Sequence, residues 1–329
     1  MRKAIIHIGL EKTGSTFIQD FFFQNQKAIK QYGLYYSRCL SGRNHARLVL
    51  LGQEDKKHPN KIHQWLGLEP KAVPAANRDW LKKVEAENSD GLTFWASSEF
   101  LSSLLHEREN CIQFLDNLRV VFDEVSIVMF VRKQEDLLLS RYSTSVLDGN
   151  HKPLTFNKPP REIDVVSIIE KWAGVVAPEN LYVLPYFADS KPRELIDIFL
   201  RSTTGIELAP SRFDWPEGKV NPRLTLSGLE AIRRINERYG SIPREKRREA
   251  LTLLADQTRD EQKFTISDEE LGEASEKFAA INKEISRALP SADRDRFLQP
   301  ARNQTSANGY DPKLVEQLEA SITTLISTC

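Results

Sequence analysis

The segment AIIHIGLEKTGSTFIQDFF, residues 4–22, restricts the fold more than any other part of the chain. Residues 4–10 are apolar and isoleucine-rich without alternation, the pattern of a strand buried on both faces of a parallel sheet. A glycine turn follows at once. Phe17, Ile18, Phe21, Phe22 and Ile29 then recur at helical spacing as far as Gly33, beyond which LYYS reads as a short strand. The same alternation returns with LTFWAS (92–97), VSIVMFV (125–131) and LYVLPY (181–186), each followed by a helical pattern. Strands interleaved with helices in this way predict an α/β fold: a three-layer, open, mostly parallel sheet.

Two stretches interrupt the alternation. Residues 41–78 and 148–161 are punctuated by Pro and Gly, and loops of that length in an α/β domain are usually surface insertions near the site. From about residue 225 the chain turns to charge-rich helices, with Ser227/Glu230 and Ser267/Glu270 at the S-x-x-E spacing of a capping box. Leu314, Leu318, Ile322 and Leu325 form one apolar stripe there. The expected organisation is an α/β domain over 1–224 and a helical region over 225–329 packed on it.

Composition excludes several function classes. Lys plus Arg equals Asp plus Glu at 46 each, so no global field points to nucleic acid or an acidic membrane surface. Cys39, Cys111 and Cys329 form no CxxC pair, which suits a reducing compartment, and the expected location is cytoplasmic. The N-terminal apolar run is too short for a signal peptide, and no stretch approaches the roughly 20 residues of a membrane span. No integral membrane segment is expected.

The glycine turn carries the chemistry. Gly9 and Gly14 have the spacing of a Walker phosphate loop, but Ser15 and Thr16 follow the second glycine and the loop's cation is Lys12, two residues before it. A helix N-terminus behind such a turn offers backbone N–H groups and a positive dipole end to anionic oxygens. Lys12 cannot clamp a terminal phosphate from the Walker position. At the crown of the loop it suits the charge that develops on a leaving group.

HIGLEKTGSTFIQ resembles the 5′-phosphosulfate loop of the sulfotransferases that use 3′-phosphoadenosine 5′-phosphosulfate (PAPS), whose fold is P-loop-like. A second signature of that family is a strand ending in Arg with a Ser eight residues later, binding the 3′-phosphate. VSIVMFVRKQEDLLLSRY carries Arg132 and Ser140 at that spacing. A guanidinium also matches phosphate oxygens bidentately on physical grounds. The resemblance, which covers mainly residues 4–32 and 124–143, implies that PAPS is the donor and the 3′,5′-bisphosphate nucleotide (PAP) the product. It implies donor contacts from Lys12, Thr13, Gly14, Ser15, Thr16, Arg132 and Ser140. Arg223, in the basic loop GKVNPRLTLSG, is a further candidate of the same kind.

The acceptor hydroxyl needs a base, which in the family is a His or Glu near the end of a central strand. Glu99, just after LTFWAS, is the first candidate; His45 in GRNHARL and His106 are rivals. A Glu base resembles the saccharide branch of the family, so the expected acceptor is a carbohydrate or glycolipid hydroxyl, held near 41–78 and 148–161. No metal is expected, because His58 and His63 are five apart, off zinc-pair spacing, and read as surface histidines. The alternatives are an atypical P-loop kinase or NTPase, and a non-catalytic nucleotide-binding scaffold protein.

Overall fold

The computed structural model describes residues 1–37, 43–55, 58–88, 90–155, 164–187, 189–207, 213–216, 224–261, 263–299 and 309–327. Contacts divide the chain into two compact units. The first comprises Met1–Arg132, Asp164–Gly218 and Glu284–Phe297; the second comprises Lys133–Ile163, Lys219–Lys283 and Leu298–Cys329.

The first unit is built on five parallel strands: β1 (Lys3–His7), β2 (Leu34–Tyr36), β3 (Thr93–Ser97), β4 (Glu124–Val131) and β5 (Leu181–Pro185). They lie in the order β2-β3-β1-β4-β5, so the first strand is the middle of the sheet. Apolar runs without alternation identify β1 and β4 because both of their faces are covered. Ile5, Trp95, Val128 and Phe130 pack under the helices α1 (Ser15–Gln24) and α9 (Pro192–Thr204). Phe22 of α1 stacks on Trp95 at 3.8 Å between ring centroids. The FFF run is thus core packing at Phe21 and Phe22, while Phe23 is exposed. On the opposite face lie α6 (Arg108–Arg119) and α8 (Val165–Ala173), joined by Phe114 and Trp172 in an edge-to-face pair. The architecture is the three-layer α/β fold expected, and the described strands are all parallel.

Between β1 and β3 the chain forms α2 (Gln26–Lys30), a 3₁₀ turn over Ala46–Gly52, α3 (Lys61–Leu66) and α4 (Val73–Glu87). Among its described residues the segment 41–78 is therefore largely helical. Leu50, Ile62 and Val73 bury a small core of their own, against which Leu66 and Phe100 pack. His63 is buried rather than on the surface, because its ring accepts the Asn60 N–H in a capping box at the start of α3. The short helix α5 (Phe100–Leu104) follows β3.

The second unit is helical: α7 (Gln134–Leu147), α10 (Leu226–Tyr239), α11 (Arg247–Gln257), most of α12 (Asp268–Arg287) and α14 (Pro312–Ser327). α13 (Ser291–Leu298) falls almost wholly in the first unit. Leu229, Ile232, Ile235, Val315, Leu318 and Ile322 lie in the core of the second unit; of the α14 stripe, Leu318 and Ile322 are buried and Leu314 and Leu325 pack against that core partly buried. The Ser267/Glu270 capping box is present, with Ser267 N–H to Glu270 Oε2 at 2.9 Å and Glu270 N–H to Ser267 Oγ at 3.2 Å. The Ser227/Glu230 box is not: Thr225 caps α10 by accepting Gly228 N–H at 3.1 Å, and Ser227 sits inside the helix. With two hydroxyl residues two positions apart, the residue already in extended backbone takes the cap. No helix among the described residues is long and apolar enough to cross a membrane.

Candidate active site

In an open parallel sheet, ligands bind beyond the carboxyl ends of the strands where neighbouring connections leave in opposite directions. Here β1 leads toward β2 on one side, and its neighbour β4 leads toward β5 on the other. The glycine turn and Arg132 are the chain's continuations at that point.

The turn is welded to the sheet. Leu10 N–H donates to Phe130 O at 3.3 Å and Phe130 N–H to Gly9 O at 2.8 Å, extending the β1–β4 ladder. Gly9, Lys12 and Gly14 all have positive φ, at 104°, 66° and 80°. Gly14 ends the turn as the N-cap of α1 with no side-chain cap, and the first turn of α1 holds no acidic residue. The positive end of the helix is therefore not neutralised within its own first turn, which suits anionic oxygens. Thr13 and Ser15, both buried, donate their hydroxyls to Leu10 O at 2.6 and 2.9 Å. These side chains brace the turn, so their hydroxyl protons are already engaged and the turn's backbone N–H groups and Lys12 are what it can offer an anion. Thr16 is exposed and faces a cleft described below.

Arg132 closes the turn from β4. Its Nη1 donates to Lys12 O at 3.3 Å, its guanidinium lies 5.1 Å from the Tyr186 ring centroid, and it is buried. Tyr186 also approaches the turn, since a Cβ on Gly14 would lie 3.4 Å from its Cε2 and 2.6 Å from Leu195 Cδ1. Tyr186 was not singled out from sequence; its position directly after β5 was the available signal. Ser140 is half-buried on α7 in the second unit, and Arg223 lies outside the described residues.

Glu99 stands where the sheet meets this turn. Ser98 N–H continues the sheet by donating to His7 O at 2.9 Å, and Glu99 then begins α5. A Cβ on Gly9 would lie 3.1 Å from Glu99 Cα, so the turn and the carboxylate residue are in contact. Each carboxylate oxygen accepts one amide: Gln19 Nε2 to Oε2 at 2.8 Å and Asn44 Nδ2 to Oε1 at 2.9 Å. Asn44 is itself oriented by Ser98 Oγ at 2.9 Å, and Gln19 also donates to Ser97 Oγ at 3.2 Å. A carboxylate has about four acceptor positions, so two amide donors fix its plane and leave it able to accept a proton. Sequence reasoning missed Gln19 and Asn44.

His45 is fully buried. Burial pushes its pKa down to about 3, and its Nδ1 accepts the Ser97 N–H at 3.1 Å while its own N–H donates to Ser97 O at 3.0 Å. It locks the end of β3 and is not poised as the base, because the lone pair a base would use is already engaged. His7, on β1, is likewise buried, with a pKa lowered to about 3 by burial and its Nδ1 hydrogen-bonded to Ser97 Oγ at 2.8 Å. His106 is exposed in the connection between α5 and α6.

Beside Glu99 opens a cleft of about 510 Å³ within the first unit. Asn44, Asp20 and Thr16 contribute polar groups to its lining, and Trp65, Ile62 and Phe100 contribute apolar ones. Much of the lining comes from the 41–78 insertion. Among the described residues no cluster of three or more His, Cys, Asp or Glu side chains could hold a metal ion.

No protein-family model and no curated protein matches the sequence. Among solved structures, the sulfotransferase domain from the Synechococcus PCC 7002 olefin synthase aligns with 66% of this chain and 78% of its own. The identity is 13% and the TM-score 0.35, a distance at which the likeness carries no argument about function.

Proposed function

We propose that the chain is a PAPS-dependent sulfotransferase, moving a sulfuryl group to an acceptor hydroxyl on a carbohydrate or glycolipid. One observation carries this reading: the glycine turn suited to anionic oxygens is in contact with Glu99, whose carboxylate borders a cleft large enough for an acceptor. A donor cradle and a base thus share one edge, as in-line transfer requires.

The turn fits a phosphosulfate through its N–H groups and the α1 dipole, and Arg132 is the candidate partner of the 3′-phosphate. Ser140 and Arg223 stay candidates on the strength of the motif alone. Glu99 takes the hydroxyl proton as the acceptor oxygen forms its bond to sulfur. The bond from sulfur to the 5′-phosphate oxygen breaks, its electron pair stays on that oxygen, and Lys12 balances the charge. The products are a sulfate ester and PAP.

The test is calorimetric titration with PAP in EDTA, beside its 3′-dephospho analogue and ATP with magnesium. The expected result is PAP binding that needs the 3′-phosphate, persists without magnesium and weakens on Arg132→Ala. Binding of ATP with magnesium alone would transfer the reading to a kinase or NTPase.

A further inference from the structure

The cleft beside Glu99 has a mixed lining. Thr16, Asp20, Asn44 and Glu99 give it hydrogen-bonding groups, and Trp65, Ile62 and Phe100 give it apolar surface, Ile62 and Phe100 belonging to one apolar cluster. Trp65 is 56% exposed, although tryptophan is the largest apolar surface a chain can bury. Its ring is nevertheless held: it meets Phe100 edge to face at 5.5 Å, and the Lys61 ammonium lies 5.9 Å from its centroid. Ile62 and Leu66 anchor the same helix in a buried cluster. Trp65 is thus a preorganised aromatic surface turned toward a cavity, with little ordering cost left on binding.

The charges narrow the occupant further. The guanidinium lining the cleft, Arg43, is already paired with Asp20 at 2.6 Å, and Lys61 near the rim lies 4.4 Å from the Phe100 centroid. Set against Asp20 and Glu99, these two cations leave no positive surplus for a carboxylated or phosphorylated acceptor. A flat aryl acceptor with one hydroxyl would cover the polar groups without satisfying them, at a cost for each stranded group. A polyhydroxylated ring satisfies the polar groups with its hydroxyls and the apolar surface with its C–H face.

We propose that this cleft binds an uncharged pyranoside, the ring's C–H face against Trp65 and a hydroxyl edge toward Asn44 and Glu99. The assignment rests on the reading of Glu99 as the base only for which hydroxyl reacts, and binding itself can be measured without any donor.

Trp65 supplies its own readout. Of the five tryptophans, Trp80, Trp95 and Trp172 are buried, so a surface quencher such as acrylamide acts chiefly on Trp65, with Trp65→Phe as the control for half-buried Trp215. The probes are methyl glycosides of glucose, galactose, mannose and N-acetylglucosamine, beside methyl glucuronide and 4-ethylphenol. At least one neutral glycoside is expected to protect Trp65 from quenching, and calorimetry should show Trp65→Ala weakening it about tenfold while Trp65→Phe retains most affinity. Protection by none of the neutral glycosides, or stronger binding of the glucuronide or the phenol, overturns the proposal. Glycoside binding without PAP binding would sink the sulfuryl-transfer reading and leave this one standing; PAP binding without glycoside protection would do the reverse.

Discussion

Gly9 and Glu99 are so close that a side chain on the first would press on the second: a built Cβ lies 3.1 Å from Glu99 Cα and 3.2 Å from its Cβ. Gly9 also holds φ at 104°, which L side chains rarely adopt. Gly9→Ala therefore adds backbone strain and a tight contact together. Urea denaturation is expected to show a loss of about 1–3 kcal/mol. An unchanged midpoint would mean that the turn has another conformation.

Lys12 is the non-glycine residue at positive φ among the described residues, at 66°. Its backbone costs about 1 kcal/mol that glycine would not incur. Lys12→Gly is expected to raise the denaturation midpoint slightly while lowering kcat by roughly 10²–10³, because the leaving oxygen loses its cation. A variant both more stable and fully active would remove Lys12 from the reaction.

Glu99→Gln keeps the shape and loses the base. Sulfate-ester formation should fall by roughly 10²–10⁴ in kcat, with PAP affinity changed little, when followed by transfer of labelled sulfate from PAPS. Equal losses in kcat and PAP affinity would point to a structural role beside the turn.

His7 and His45 set a pH dependence of stability. Each is buried and titrates near 3 in the folded chain against 6.5 when exposed. Between pH 6.5 and 3 the unfolded chain binds more protons, so stability rises with pH across that window and is lost as pH falls through it. Moving from pH 7.5 to 5 should cost roughly 2 kcal/mol per histidine. Denaturation midpoints at the two pH values check this, and His45→Gln should shrink the difference. A flat profile would show that neither ring is buried neutral.

Much of the scaffold was legible because its signals are local. AIIHIGL and VSIVMFV announce central parallel strands, and glycines at 9 and 14 announce the turn. Glu99 could be picked out by its position after a strand. Its partners could not: Gln19 and Asn44 reach it across separations of 80 and 55 residues, and neither stands in a pattern. The buried state of His45 was equally hidden, since its ring bonds the Ser97 backbone N–H, 52 residues away, which only the folded chain brings near. The local capping signal at Ser267 succeeded, whereas at Ser227 a neighbouring threonine took the cap.

The strand order carries a consequence for synthesis. β1 is made first yet pairs with β3 and β4, and the contact that closes the glycine turn comes from Arg132. Until residue 132 has left the ribosome, a growing chain holds the turn's sequence with no β4 to shape it, and its apolar first strand waits with its β4 edge unpaired. The most sequence-local motif of the protein is therefore among the later parts of its sheet to mature, and an N-terminal fragment ending before β4 would carry the motif without the shape that gives it meaning.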